Sequence, residues 1–377
     1  MSSQPVDVDT SLTVYIDFKS PYAYLAIEPT RRLGRELGVS INWLPFVLDI
    51  PSYLGAAKLG SSGKVVEQSR SEEQWSGVKY AYYDCRRYAN LRHLTIRGTT
   101  KIWDTKLAAV GMLWAKQQGD DVLQAYIDAV FEPFWKRELD VEDMAIIEAV
   151  LSDCGAEVGG FGTFAEGAGA EENKQLQQDA FDRGIFGVPS YVLGDDLYFG
   201  REHIPRLRWQ IEGQGSRKPD IACELEPDIL VEAATTRTLK VGVSLSEADT
   251  ELVVRSVAMM AKELNLIVRW CELPEAKIRD REASSDQSRG ARHRRYRALN
   301  RKRDCERYVS AGCADTGAIE LLNTQLLRRE GIELLPDTSL AAGFSQSPVF
   351  LVGEERYIGR QHLPLIRARF ESADEGR

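Results

Sequence analysis

The chain has 377 residues, enough for two or three domains, and its 43% hydrophobic and 28% charged residues are ordinary for a soluble globular protein. A net charge of -9 and the lack of any run of 18 apolar residues predict no nucleic-acid partner and no membrane partner. The six cysteines have neither CxxC nor metal-ligand spacing, which predicts reduced thiols and no metal. Because the N-terminus lacks the pattern of a signal peptide, we expect a cytoplasmic protein.

Hydrophobic spacing and capping residues predict a regular order of elements in the first half of the chain. Residues 12–18 alternate as in a strand, Ser20 and Pro21 begin a helix, and Gly38 ends it. The elements predicted after these are a strand at 39–46, helices at 78–91, 107–118, 122–135, 141–154 and 171–183, hairpin strands at 190–193 and 197–199, and a helix at 202–212. This order is that of a thioredoxin fold with an inserted helical domain.

Two stretches of the sequence repeat earlier ones, which indicates an internal duplication. Residues 184–208 lie over 343–367 with nine identities in 25 positions, and residues 14–46 lie over 241–273. We therefore predict an α/β protein of tandem thioredoxin-like folds, the first with the helical insertion and the second shorter. The predicted boundaries are 10–213 for the first domain, 64–183 for its insertion, 214–237 for a linker and 238–377 for the second domain.

The turn from the first strand into the first helix, residues 17–24, holds the most informative polar residues. A helix N-terminus presents unpaired N–H groups and the positive end of the helix dipole, which suit an anion. The hydroxyl of Ser20 could there donate a hydrogen bond to a bound thiolate and lower its pKa. A serine followed by a proline is also a common helix start, so Ser20 by itself fits a purely structural cap as well.

Two later segments favour the functional interpretation of Ser20. Pro189 follows Val188 just before a strand, where a cis proline would expose the backbone of the preceding residue to an extended ligand. Arg201 and Glu202 open the last helix, where they could bind the carboxylate and the ammonium group of a ligand. Taken alone, Glu202 also fits a simple complement to the helix dipole.

The second copy lacks part of this pattern. It keeps Pro348 and Arg360, but it has Glu247 in place of Ser20 and Gln361 in place of the glutamate. Because a carboxylate repels a thiolate, we predict that the second copy has lost the activity of the first.

Together these motifs resemble the DsbA-like thioredoxin superfamily, and within it the 2-hydroxychromene-2-carboxylate isomerases and kappa-class glutathione transferases. The resemblance covers residues 12–213 and is carried by Asp17, Phe18, Ser20, Pro21, Tyr22, Tyr24 and Leu25, by Lys79, Tyr80, Asp84 and Arg87, by Trp135, Asp140, Val141 and Asp143, and by Phe186, Gly187, Val188, Pro189, Phe199, Gly200 and Glu202. Residues 48–53 depart from the Gly-Asn-x-Pro-like segment usual in the family, and Glu202 replaces its more usual aspartate.

The resemblance implies glutathione as cofactor or cosubstrate, with its sulfur held by the catalytic Ser20. The glutathione-binding residues that it implies are Ser20, Pro21, Tyr22, Val188, Pro189, Arg201 and Glu202. Val188 would pair backbone to backbone with the cysteinyl unit, while Arg201 and Glu202 would face the γ-glutamyl end. The candidates for the substrate pocket, on neighbouring turns of one helix, are Lys79, Tyr80, Asp84 and Arg87; a purely structural network fits these four equally.

The leading function is therefore a glutathione-dependent isomerase or transferase for a small electrophilic substrate, aromatic or unsaturated. Two alternatives stay open. One is a DsbA-like oxidoreductase, although Ser20 to Ala23 stand where a CxxC would be and a hydroxyl cannot form a mixed disulfide. The other is a non-catalytic binding protein with two thioredoxin-like modules. The resemblance further implies a homodimer, or a pseudo-dimer within the chain.

One segment departs from the acidic character of the chain. Residues 289–307 hold nine Arg or Lys residues against two acids. This segment could attract phosphate, or it could be a solvated face of a helix.

Overall fold

The structure, a computed structural model, divides into two compact units. The first unit holds the described residues up to Ser69 together with Cys85–Arg217, and the second holds Arg70–Asp84 and the described residues from Lys218 onward. The domain boundaries predicted from the sequence stay predictions, and Glu247 lies outside the described residues. The residues that the structure describes are 11–59, 65–244, 250–273, 286–309 and 347–375.

The first unit is built on a four-stranded mixed sheet. Its strands, with those of a separate small hairpin (β3 and β4), are β1 (Leu12–Ile16), β2 (Ile41–Pro45), β3 (Ala57–Leu59), β4 (Val65–Gln68), β5 (Ser190–Leu193) and β6 (Asp196–Phe199). The strand order is β2-β1-β5-β6, with β1 parallel to β2 and antiparallel to β5, and with β5 antiparallel to β6. The four strands predicted here are confirmed, with ends that shift by no more than two residues.

The helices of the first half of the chain lie between and after these strands in the sequence. They are α1 (Pro21–Leu37), α2 (Ile50–Leu54), α3 (Glu72–Leu91), α4 (Lys106–Gln117), α5 (Asp120–Lys136), α6 (Met144–Asp153), α7 (Phe161–Glu166), α8 (Ala168–Asp182) and α9 (Ile204–Ile211). A 3-10 turn at Arg201–His203 precedes α9. The helices α2 and α7, of five and six residues, are too short for the spacing of apolar residues to predict them.

Side-chain caps explain two of the helix starts that differ from those predicted. α3 begins six residues earlier, at Glu72, because Ser71 and Gln74 form a reciprocal capping box. α6 begins at Met144 rather than at residue 141, because the carboxylate of Asp143 accepts hydrogen bonds from two N–H groups of the first turn.

Aromatic side chains join α5 to the start of α1. The ring of Phe18 lies 4.8 Å from that of Phe131 and 6.0 Å from that of Tyr126, and Tyr24 stacks on Phe131 at 5.3 Å. All four residues are buried, so the turn that carries Ser20 rests on a rigid aromatic support.

The second unit contains a four-stranded sheet with the same pairings. Its elements are β7 (Thr238–Val243), α10 (Thr250–Leu264), β8 (Ile267–Glu272), α11 (Arg289–Val309), β9 (Val349–Val352), β10 (Glu355–Ile358) and α12 (Leu363–Glu375). The strand order is β8-β7-β9-β10, with β7 parallel to β8 and antiparallel to β9. Residues 343–346 of the repeated sequence lie outside the described residues. That this unit is a second copy of the first stays a proposal.

The basic segment forms α11. Arg294, Arg301 and Lys302 are exposed, whereas Arg307 pairs with Asp304 at 3.4 Å. A solvated face fits these positions, and phosphate binding stays a prediction. No helix in the described part of the chain is long and apolar enough to cross a membrane.

Candidate functional site

Ser20 forms the N-terminal cap of α1. Its backbone is extended, with φ -96 and ψ 114, and its Oγ accepts a hydrogen bond of 3.2 Å from the N–H of Ala23. Only 4% of Ser20 is exposed. The cap thus holds the hydroxyl at the positive end of the helix dipole, where a negative charge is stabilised.

The segment before β5 reaches Ser20 from 168 residues further along the chain. The hydroxyl of Ser20 donates a hydrogen bond of 3.4 Å to the carbonyl oxygen of Val188. The peptide bond between Val188 and Pro189 is cis, as the sequence predicted. The structure therefore brings together Ser20 and the Val188–Pro189 pair, three of the residues predicted to bind glutathione.

Gly187 allows this segment its close approach to β6. A Cβ atom at Gly187 would lie 2.5 Å from the ring of Phe199, which is far inside van der Waals contact. We expect Gly187→Ala to lower the free energy of unfolding by about 1–3 kcal/mol through overpacking. Thermal unfolding measures this loss, with Gly162→Ala in α7 as the control, because nothing lies within 4 Å of its Cβ position. Equal melting temperatures for the two variants would contradict the close packing.

Arg201 and Glu202 lie in the 3-10 turn after β6. The guanidinium group of Arg201 lies 4.2 Å from the ring centroid of Tyr88, and Arg201 is 7% exposed. The carboxylate of Glu202 folds back against Gly200, where a Cβ atom would clash with it. Sequence reasoning missed Tyr88, which holds the guanidinium group by a cation–π contact.

The first turn of α1 continues the site. Pro21 and Tyr22, both predicted to bind glutathione, are half-buried there. Burial, with a smaller contribution from the charge of Glu132, raises the pKa of Tyr24 to about 12. The phenol of Tyr24 therefore stays protonated at neutral pH.

A buried polar network beneath Ser20 was not singled out from the sequence. The carboxylate of Asp17 accepts hydrogen bonds from the hydroxyl of Thr105 at 2.6 Å and from the N–H of Leu48 at 2.7 Å. The Nζ of Lys19 lies 3.6 Å from the same carboxylate and donates to the carbonyl oxygen of Trp103 at 3.2 Å. Asp17, Lys19 and Thr105 are all buried.

This network joins three segments that are distant in the sequence. Asp17 closes β1 onto the residues after β2, and Lys19 extends the contact to the segment before α4. Because Asp17 and Lys19 stand on either side of Phe18, their contacts hold the chain in place just before Ser20. The signal in the sequence was two opposite charges beside a predicted buried turn, where an unpaired charge would be costly.

The predicted pocket residues on α3 divide between the two units. Tyr80 and Asp84 belong to the second unit, where the hydroxyl of Tyr80 accepts a hydrogen bond of 2.7 Å from the N–H of Ile358 and Asp84 lies 3.6 Å from His362 Nε2. Lys79, one residue before Tyr80, is exposed.

Arg87 belongs to the first unit and is half-buried. The role of Lys79, Tyr80, Asp84 and Arg87 in a substrate pocket stays a prediction.

The family described as DSBA-like thioredoxin domain matches residues 11–212. The chain is 26% identical over 201 residues to the 2-hydroxychromene-2-carboxylate isomerase of Sphingobium xenophagum, covering 52% of this chain and 95% of that protein. The protein of the same name from Pseudomonas putida is 22% identical over 193 residues, covering 50% of this chain and 88% of its own length.

The comparison with solved structures also matches about half of the chain. HCCA isomerase matches with a TM-score of 0.42 and 21% identity, over 55% of this chain and 100% of its own. The cytosolic disulfide reductase DsbM of Pseudomonas aeruginosa matches with a TM-score of 0.36 and 13% identity, over 50% of this chain and 88% of its own. Since the family match spans more than half of the 377 residues, this chain belongs to the DSBA-like thioredoxin domain family.

Proposed function

We propose that the first unit is a glutathione-dependent isomerase or transferase for a small electrophilic substrate, aromatic or unsaturated. The observation that carries the proposal is the hydroxyl of Ser20, which is fixed at the start of α1 and lies 3.4 Å from the carbonyl oxygen of Val188. The name shared by the curated relatives, 2-hydroxychromene-2-carboxylate isomerase, supports an isomerase.

Hydrogen-bond strengths favour a thiolate at Ser20. The bond to Val188 is long, at 3.4 Å, and such a neutral bond contributes about 1 kcal/mol or less. A bond to a charged acceptor contributes about 1.5–3 kcal/mol. The hydroxyl hydrogen of Ser20 would therefore turn from the carbonyl to a glutathione thiolate, whose charge the dipole of α1 also stabilises.

The remaining contacts would orient the tripeptide. Val188 would offer its backbone to the cysteinyl unit, and Arg201, held over Tyr88, would bind a carboxylate of the γ-glutamyl end. Glu202 would receive the ammonium group of that end. The assignments of Arg201 and Glu202 pair each side chain with a ligand group of opposite charge.

The chemistry needs no oxidant and consumes no glutathione in the isomerase reaction. The thiolate forms a C–S bond with an electrophilic carbon, and the electron pair of the C=C bond moves onto a conjugated carbonyl oxygen. Rotation about the resulting single bond follows. The enolate electrons then restore the double bond and expel the thiolate, so glutathione is regenerated. Ser20 stabilises the thiolate and forms no covalent bond.

Disulfide exchange and non-catalytic binding, the two other candidate functions, would give different experimental results. Disulfide exchange needs a thiolate nucleophile, and the side chain at the start of α1 is a hydroxyl. A non-catalytic binding protein would bind glutathione, or another partner, without turnover. The cytoplasm stays our predicted compartment because it supplies reduced glutathione, and a mass measurement in solution tests the predicted homodimer.

The direct test is turnover of 2-hydroxychromene-2-carboxylate by the full chain. We expect isomerisation with glutathione and none with S-methylglutathione, which keeps the binding groups but cannot form a thiolate. S-methylglutathione should instead compete with glutathione. Isomerisation in the absence of any thiol would overturn the proposed role of glutathione, and binding without turnover of this or other electrophiles would favour the non-catalytic alternative.

A further inference from the structure

The second unit repeats the local geometry around the proposed glutathione site. The peptide bond between Ser347 and Pro348 is cis, as is the one before Pro189. β10 is followed by Gly359 with φ 96 and by a 3-10 turn, just as β6 is followed by Gly200 with φ 109. The similarity between the two units therefore includes the conformation of the turn that carries Arg201 in the first and Arg360 in the second.

Arg360 stands where Arg201 stands in the first unit. It is 7% exposed, and its guanidinium group lies 5.5 Å from the ring centroid of Tyr308, as that of Arg201 lies over Tyr88. Each unit thus keeps a buried guanidinium group over an aromatic face, which is a site suited to a carboxylate.

In the second unit a carboxylate from the same chain already lies at this site. The Nε–H of Arg360 donates to both carboxylate oxygens of Asp220, at 3.0 and 2.9 Å. Three residues later, the N–H of Cys223 donates a hydrogen bond of 2.8 Å to the carbonyl oxygen of Gln361. We call residues 218–223 the strap. It contacts the 3-10 turn at Arg360–His362 through the carboxylate of Asp220 and the N–H of Cys223, and an extended peptide ligand would make contacts of the same kinds.

Two carboxylates lie near Arg360, and that of Asp220 accepts the hydrogen bonds of its Nε–H. Asp304 also lies near Arg360, but its carboxylate accepts hydrogen bonds from Arg307 at 3.4 Å and from Asn300 at 3.0 Å. Gln361, which replaces the glutamate of the first unit, offers no charge, and its amide donates to the carbonyl oxygen of Ile358 at 3.1 Å. The site therefore selects a carboxylate without requiring an ammonium group beside it.

We propose that Arg360, Tyr308 and the backbone of Gln361 form a second binding site, for carboxylates of extended peptide-like molecules, which the strap closes through Asp220. The proposal deepens the proposed function, since it takes the ligand class of Arg201 as its guide. Because the strap is part of the same chain, its effective concentration at Arg360 is in the millimolar range or higher, which favours it over a free ligand at lower concentration. The side chain of Asp220 is 33% exposed and that of Arg360 only 8%, so a free ligand has to displace Asp220 before it reaches Arg360.

Calorimetric titration of the full chain with S-methylglutathione tests this site. We expect the wild type to show one binding event, which Arg201→Gln removes. Asp220→Ala should add a second event, and Asp220→Ala combined with Arg360→Gln should lose that second event again. Asp220→Ala changes a partly exposed position of the strap, so this variant is expected to fold.

Alkylation of Cys223 gives an independent reading of the strap. Cys223 is 5% exposed, and its reaction with iodoacetamide can be followed by mass spectrometry of its peptide. Loss of the charge-assisted contact should raise the rate at least about tenfold in Asp220→Ala.

The outcomes separate the two proposals. A second event in Asp220→Ala that depends on Arg360 supports the second site, even if no event depends on Arg201 and the proposed function fails. Asp220→Ala that shows no Arg360-dependent event at millimolar probe overturns the second site, whatever the first unit binds. An unchanged alkylation rate of Cys223 would overturn the closing role of the strap.

Discussion

Replacing Ser20 by glycine is expected to lower kcat/KM of the glutathione-dependent reaction about a hundredfold, because it removes the hydroxyl donor proposed to hold the thiolate. The pKa of the bound glutathione thiol should rise at the same time, and the ultraviolet absorbance of the thiolate against pH measures it. Glycine is the informative substitution because it caps a helix almost as well as serine, so that stability changes by only a few tenths of a kcal/mol.

Two controls separate the chemistry of Ser20 from its capping. Ser20→Thr keeps a hydroxyl and should retain most of the activity, whereas Ser20→Ala should lose activity and also about 1 kcal/mol of stability through the lost cap. If Ser20→Gly retains full activity and an unchanged thiol pKa, Ser20 is a structural cap and the thiolate is stabilised elsewhere.

Replacing Asp17 by alanine is expected to lower the free energy of unfolding of the first unit by about 3–5 kcal/mol. The substitution leaves the buried ammonium group of Lys19 without its carboxylate, and it removes the acceptor of the Thr105 hydroxyl and of the Leu48 N–H. Losses of this size follow when one partner of a buried ion pair is deleted. Chemical denaturation measures the change.

An exposed ion pair provides the matched control. Glu28 and Arg35 are 2.6 Å apart with exposed side chains, so Glu28→Ala should lower stability by less than about 1 kcal/mol. Asp17→Asn combined with Lys19→Met should regain much of the loss, because neither charge then stays buried alone. A double variant no more stable than Asp17→Ala would show that the charges are not the source of the effect.

The strands, most of the helices and the cis bond before Pro189 were accessible from local sequence patterns, whereas the approach of Val188 to Ser20 followed only from the family resemblance. Alternation marked β1, the Ser20–Pro21 pair marked the start of α1, and the proline after Val188 marked the cis bond. These features depend on local conformational preferences, which a single sequence expresses directly.

Other features depend on contacts between distant residues, which no local pattern encodes. The contact of Thr105 with Asp17 joins residues 88 apart, and the contact of Arg360 with Asp220 joins residues 140 apart. The composition of residues 214–237 predicted a linker. The pairing of Asp220 in this segment with Arg360 becomes visible only in the structure. The capping box at Ser71 and Gln74 was present in the sequence, and reading it would have placed the start of α3 correctly.

The most direct measurement of the central claim is the affinity of the full chain for glutathione, determined by calorimetry in the wild type and in Ser20→Gly. We expect saturable binding at millimolar glutathione or below, with affinity falling about tenfold or more in the variant, since a hydrogen bond to a charged sulfur contributes about 1.5–3 kcal/mol. The absence of wild-type binding at millimolar glutathione, or equal affinities in the two proteins, would contradict a thiolate site at Ser20.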